Sequence, residues 1–140
     1  MIRDSMKTAA VAMLSCVLAA CAAQQPETAQ SNDTGIDVEG IIIRNALAYT
    51  VKDVMVEVPA TGGFAGCGNI LPRSECRTSF QAVDYRQNAL LVSWSEHGEA
   101  RGTDEFEVTL PEGVGPGDTV WLEVIIYAPG LAGARLIQPE

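Results

Sequence analysis

From Ile36 onward, apolar and polar residues alternate with a period of two. Val54, Val56 and Val58 share one face of the stretch Val51 to Val58. Asp53, Met55 and Glu57 occupy the other, and Pro59 stops the run. This period places successive side chains on opposite faces of a β-strand. Leu90, Val92 and Trp94 share a face in the same way. So do Phe106, Val108 and Leu110, opposite Glu105, Glu107 and Thr109, and so do Val120, Leu122, Val124 and Ile126. Ile36 to Arg44 is rich in branched residues, and its alternation breaks near Gly40, where a bulge fits. Phe64 to Leu71 and Cys76 to Ala82 form two arms around Pro72-Arg73-Ser74-Glu75, with Cys76, Thr78, Phe80 and Ala82 on one face of the second arm. Gly and Pro turns separate these runs, and no amphipathic helix or internal repeat is visible. The pattern predicts an all-β domain over residues 36–140, a single antiparallel β-sandwich of seven to eight strands.

The front of the chain departs from this pattern. Thr8 to Ala20 carries no charge, and Arg3 and Lys7 lie just upstream. A basic end followed by a short apolar run and small residues is an export-signal pattern. Crossing a bilayer needs about 20 apolar residues, so this run is too short for a good anchor. Met6-Lys7 offers an alternative, more compact start. Residues 22–35 have almost nothing to bury and are expected to be disordered. Fourteen residues of linker reach at most about 50 Å.

Leu18-Ala19-Ala20-Cys21 resembles the lipobox of bacterial lipoproteins, a better fit than the residues before Cys16. The resemblance implies that the Cys21 thiol receives a diacylglycerol and that the signal, residues 1–20, is cut just before it. Residues 21–35 are then a lipidated N-terminus and linker. In the Gram-negative families Asp after the lipidated Cys tends to retain the protein in the inner membrane. Ala22 therefore implies the outer membrane. Multiple acyl chains anchor stably where one binds marginally. The domain in turn resembles immunoglobulin-like or fibronectin-type bacterial domains. Ile43-Arg44-Asn45 precedes Val54-Met55-Val56-Glu57-Val58-Pro59, Ile70-Leu71-Pro72 leads to Thr78-Ser79-Phe80, and Leu91-Val92-Ser93-Trp94 supplies a strand with a Trp. Such sandwiches host many unrelated functions.

Charge and cysteines narrow the picture. The chain has 18 acids and 9 bases, and removing Asp4, Arg3 and Lys7 with the signal leaves 17 and 7. A formal charge of −10 argues against a nucleic-acid partner, which needs a basic face, and fits the solubility of an exported domain. Without Cys16 and the lipidated Cys21, two cysteines remain, Cys67 and Cys76. In an oxidising compartment such a pair suggests a disulfide. The ten-residue loop it closes is worth roughly 2.7 kcal/mol by chain entropy. A free dithiol or a metal pair is the alternative.

Candidate chemistry is sparse. His97 is the one histidine, in Ser95-Glu96-His97-Gly98-Glu99. With Ser93 or Ser95 it suggests a hydrolase, but there is no Gly-x-Ser-x-Gly elbow. With Glu96 and Glu99 it suggests a loose metal site, although structural zinc sites usually take four ligands. The bland reading is a turn between two strands. Asp104, Glu105 and Glu107 lack a calcium-loop pattern. Gly62-Gly63 and Gly66-x-Gly68 lack the Lys and helix of a phosphate loop. If Val120 to Ile126 point inward at alternate positions, then Trp121, Ile125 and Tyr127 point outward with Glu123, a candidate contact surface. The tail, Leu131 to Ile137, is the alternative cover for it. The expected role is a non-catalytic interaction module without cofactors. Its partners are the membrane, through the N-terminal lipid, and another envelope protein. The rivals are a metal- or small-ligand-binding lipoprotein and an envelope hydrolase or its inhibitor.

Overall fold

The computed structural model describes residues 33–140. The signal, Cys21 and the linker up to Asn32 lie outside the described residues. The described chain forms eight strands in two four-stranded sheets, a β-sandwich. They are β1 (Asp37–Asn45), β2 (Val51–Val58), β3 (Gly63–Ile70), β4 (Glu75–Asp84), β5 (Leu91–Glu96), β6 (Glu99–Gly102), β7 (Thr119–Ala128) and β8 (Leu131–Ile137). One sheet has the order β4-β1-β7-β8 and the other β3-β2-β5-β6.

Alternation decides which side chains form the core. Ile41 and Ile43 of β1, Val54 and Val56 of β2, Val92 and Trp94 of β5, and Val120, Val124 and Ile126 of β7 are all buried between the sheets. The neighbours of each strand differ from the antiparallel expectation at one place. β1 and β7 pair in parallel, while all other pairs are antiparallel. The tail becomes β8 and pairs beside β7 in the same sheet.

One expected strand is absent. Phe106 to Leu110 is not a strand. Its alternation is real, since Val108 is buried and Phe106 and Leu110 pack on the core. Its backbone pairs only through Leu90 and Phe106, because β6 already occupies the edge of β5. The four-residue β6 is exposed throughout and so carries no alternation to read. The two arms around Pro72 to Glu75 become β3 and β4, which lie in different sheets. Thr34, two residues before Ile36, is already hydrogen-bonded to the sandwich. Thr34 donates from its backbone N–H to Asp84 Oδ1 at 3.1 Å, and from its hydroxyl to the Tyr85 carbonyl at 2.8 Å.

Gly40 marks the break in β1, and the register shifts between Val38 and Gly40. A Cβ at this position would lie 2.6 Å from the Trp121 ring. The ring needs that space, so Gly40→Ala is expected to destabilise the domain by about 1–3 kcal/mol, the usual range for overpacking. Urea denaturation measures the loss, and Trp121→Leu in the same chain should recover most of it.

Candidate functional site

The turn between β3 and β4 is the corner on which the site is built. Asn45, almost fully buried at the end of β1, holds it. Its Nδ2 donates to the carbonyls of Tyr49 (2.7 Å), Ile70 (3.1 Å) and Leu71 (3.1 Å), and its Oδ1 accepts from the Leu47 N–H (3.0 Å). The Asn45 N–H donates to the Ser74 carbonyl, and the Arg73 N–H to that of Leu47. Arg73 adopts φ 52° within this turn. Just beyond it Cys67 of β3 and Cys76 of β4 are joined by a disulfide, with their Cα atoms 6.1 Å apart. The bridge therefore ties the edge strand of one sheet to the edge strand of the other.

Past the bridge, away from the turn, the two edges part. β4 pairs Ser79 with Gly40 and Val83 with Val38, so four steps on β4 answer two on β1. Such a bulge bends the strand that carries it. Across from it, β3 offers only small residues behind Phe64, namely Ala65 and Gly66. The result is an apolar cleft of about 850 Å³ that runs between the sheets. Ile41, Val56, Leu122 and Leu136 form part of its lining. These residues come from β1, β2, β7 and β8, and Thr78 adds β4. The cleft thus spans all four strands of one sheet, roughly 14 Å at the usual strand spacing. At its mouth Phe64 is 74% exposed, Val83 53% and Phe80 37%. Asp84 and Arg86 stand at the rim and pair with each other at 3.2 Å. Tyr85 closes the other side, its hydroxyl donating to the Val108 carbonyl at 2.6 Å. Burial raises the Tyr85 phenol above its ordinary value, and the nearby Glu107 charge adds to this. It stays a neutral donor.

The sequence-predicted residues fall elsewhere. Trp121 and Ile125 are only half-buried on the outer face of β7, and Tyr127 is exposed. They do not make one continuous apolar row. Glu123 sits among them, buried, with Arg135 donating to its Oε1 at 2.9 and 3.1 Å and Arg44 at 3.6 Å from its Oε2. Trp121 lies against Gly40. That use of its ring is the physical reason it is less exposed than alternation implies.

His97 and Gly98 form the tight turn between β5 and β6, both with positive φ. The imidazole packs on the Tyr49 ring, with centroids 4.1 Å apart. Glu96 is buried and fully engaged. Tyr49 donates its hydroxyl at 3.0 Å, Gly130 its N–H at 2.7 Å, and Arg101 pairs at 3.0 Å. Glu99 pairs with the same Arg101. Glu96, His97 and Glu99 do not converge, and among the described residues no three His, Cys, Asp or Glu gather as metal ligands. The arrangement is a structural corner.

Burial pushes the Glu96 carboxyl up, but the Tyr49 hydroxyl, the Gly130 amide and the Arg101 charge outweigh it and hold the group below its ordinary value. A carboxylate with a depressed folded-state value stabilises the fold above its unfolded value and loses that contribution as pH falls through the folded one. Denaturation curves from pH 7 to pH 3 should therefore show Glu96→Gln less stable than the natural chain at neutral pH. The two are expected to converge in acid. A gap that does not close on acidification contradicts the assignment.

No protein-family model and no curated protein sequence matches the chain. Among solved structures, the NMR structure of a protein from Eubacterium rectale is similar over 74% of this chain and 89% of its own. The identity is 13% and the TM-score 0.43. At that level the likeness bears on neither function nor site.

Proposed function

We propose that the protein is a lipid-tethered, non-catalytic binding module of the bacterial cell envelope. Cys21 holds it at the outer membrane, and the cleft between β3 and β4 takes an apolar ligand. One observation carries the reading: an open, mainly apolar cleft of about 850 Å³ lies between the edges of the two sheets. A volume of this size lies within the range of ligand pockets, about 300–1,000 Å³. Its walls are aliphatic and aromatic, its charges are confined to the rim, and a disulfide fixes the spacing of the two edges. This favours an apolar ligand over a metal or a hydrolysable substrate.

The test is a titration with an environment-sensitive apolar dye. Residues 1–20 are replaced by an export signal that is cleaved without lipid, and Cys21→Ser leaves no lipid attached. Micromolar binding is expected. Thr78→Trp and Ala65→Phe, which fill the cleft, should each weaken it at least tenfold while the far-UV spectrum and melting temperature stay near those of the parent. Tyr127→Ser should change nothing. Loss of binding in Tyr127→Ser, with the two filled variants unaffected, would move the site to the outer face of β7.

A further inference from the structure

We propose that the free edge of β4 pairs with the β4 edge of a second copy of this chain, antiparallel and across a two-fold axis. β4 is the longest of the four edge strands, with ten residues. Among the described residues it pairs only with β1. An edge strand presents a row of unpaired N–H and C=O groups, and natural proteins guard such rows with charges, proline, bulges or short length. β6, only four residues long, carries Glu99 and Arg101. On β4, Thr78 to Val83 include no charge, proline or glycine. On this side of the sandwich Phe64, Phe80 and Val83 are exposed. The bulge of β4 falls within the same stretch, and it decides the register.

Two hydrogen bonds fix which backbone groups are free. The Asn45 N–H donates to the Ser74 carbonyl, and the Tyr85 N–H to the Ile36 carbonyl. In an antiparallel ladder, bonded and non-bonded pairs alternate. Counting on from Ser74, Cys76 and Thr78 bond to β1, opposite Ile43 and Ile41. Glu75, Arg77 and Ser79 therefore turn their backbone groups away from β1. Counting back from Tyr85, Val83 bonds to β1, opposite Val38. Ala82, Asp84 and, past the strand's end, Arg86 therefore turn away. The bulge is what switches the phase between Ser79 and Ala82. A copy laid antiparallel then pairs Ser79 with Ala82, Arg77 with Asp84 and Glu75 with Arg86. The same pairs recur on the other side of the axis, and each joins two residues whose backbone groups are free. Phe80 and Gln81 sit at the axis.

The side chains agree with this register. Residues directly opposed in a ladder share a face. Thr78 and Val83 both line the cleft, and the second copy sets one opposite the other. Cys76 and Tyr85 both pack on the core, and they too fall opposite each other. The charges match in sign, with Arg77 meeting Asp84 and Glu75 meeting Arg86. A parallel copy would set like charge against like, which is destabilising. The formal charge of −9 repels a second copy on most approaches, so matched signs along this edge select the approach and fix the register. The two-fold closes the assembly at two copies, because each β4 edge is used once. The two cleft mouths then face each other across the axis, and Phe64, Phe80 and Val83 of each copy are drawn into the junction.

Sedimentation velocity on the unlipidated Cys21→Ser protein, from low to high micromolar concentration, tests this. A ladder of this length buries less than a standard interface, so a dissociation constant of roughly tens of micromolar is expected. Ser79→Pro removes an N–H that faces the second copy and none that bonds to β1, a position where an edge strand accepts proline. It should stay monomeric at every concentration with its far-UV spectrum unchanged. Glu75→Arg and Arg86→Glu should each weaken self-association at least tenfold. Mixing these two variants should restore it, because every repaired contact joins opposite charges. A natural domain that is monomeric throughout overturns the pairing. Dimers that survive in folded Ser79→Pro overturn the β4 edge as the interface. If Ser79→Pro fails to fold, the charge variants decide, and a mixture that associates no better than its components overturns the register. Dye binding is a separate readout. A monomer that binds the dye overturns the dimer and leaves the cleft ligand standing, and a dimer that binds none overturns the ligand and leaves the pairing standing.

Discussion

Asn45→Ala is expected to be among the most damaging single substitutions in the domain. The side chain is 1% exposed and makes four hydrogen bonds, three through Nδ2 and one through Oδ1. Removing it strands the carbonyls of Tyr49, Ile70 and Leu71 and the N–H of Leu47. Each buried group left without a partner costs about 1–3 kcal/mol, and water can reach part of the corner. A loss of about 3–5 kcal/mol follows. In a domain of this size that lowers the melting temperature by roughly 15 °C. Asn45→Asp should not rescue it, because the three contacts need a donor and a carboxylate has none. Thermal and urea unfolding of the three proteins decide this. A loss below about 1 kcal/mol in Asn45→Ala would mean that the corner is held by its backbone alone.

The second large effect belongs to the Cys67–Cys76 bridge. The pair encloses a short loop, with a sequence separation of 9, and the chain-entropy estimate for such a loop is roughly 2.7 kcal/mol. Cys67→Ser with Cys76→Ser should lower stability by about 2–3 kcal/mol. The natural protein under reducing conditions should behave like the double variant. There is a further consequence beyond stability. The bridge is the covalent link between two sheet edges that share no hydrogen-bonded ladder. Without it the β3 wall is free to move relative to β4, so affinity for an apolar dye should fall several-fold even where the domain remains folded. Unchanged dye binding in the folded double variant would show that the walls are held by packing alone.

How much of this was legible in the residues depends on the feature. β2 and β7 could be read directly, because each buries one face and exposes or pairs the other. Val54 and Val56 on β2, and Val120 to Ile126 on β7, follow the period of two without interruption. Phe106 to Leu110 follows it as well but lacks a neighbour, since alternation reports burial and not pairing. β6 pairs but is wholly exposed, so it shows no alternation. Which edges meet depends on contacts distant in sequence, such as the parallel pairing of β1 with β7.

The cleft itself was the least visible feature. It arises where β4 bulges opposite Gly40 and where β3 supplies Ala65 and Gly66 instead of bulky residues. The glycines of this region read as turn and packing residues, which is their commoner use. Their real signal was a deficit of volume, with too little side chain on two adjacent edges to close the space between two sheets. The expected contact row on β7 illustrates the converse. Trp121, Ile125 and Tyr127 do face away from the core, but Gly40 and the Glu123 ion pair absorb part of that face.

The most direct test of the account uses a nitroxide-labelled fatty acid added to methyl-labelled Cys21→Ser protein in solution. Paramagnetic broadening in the NMR spectrum reports which methyl groups lie near the label. The account predicts broadening of Val56, Leu122 and Leu136, abolished by Thr78→Trp, while the methyl groups of Ile125 stay sharp. Broadening centred on Ile125, or spread evenly over the surface, would contradict the cleft as the binding site.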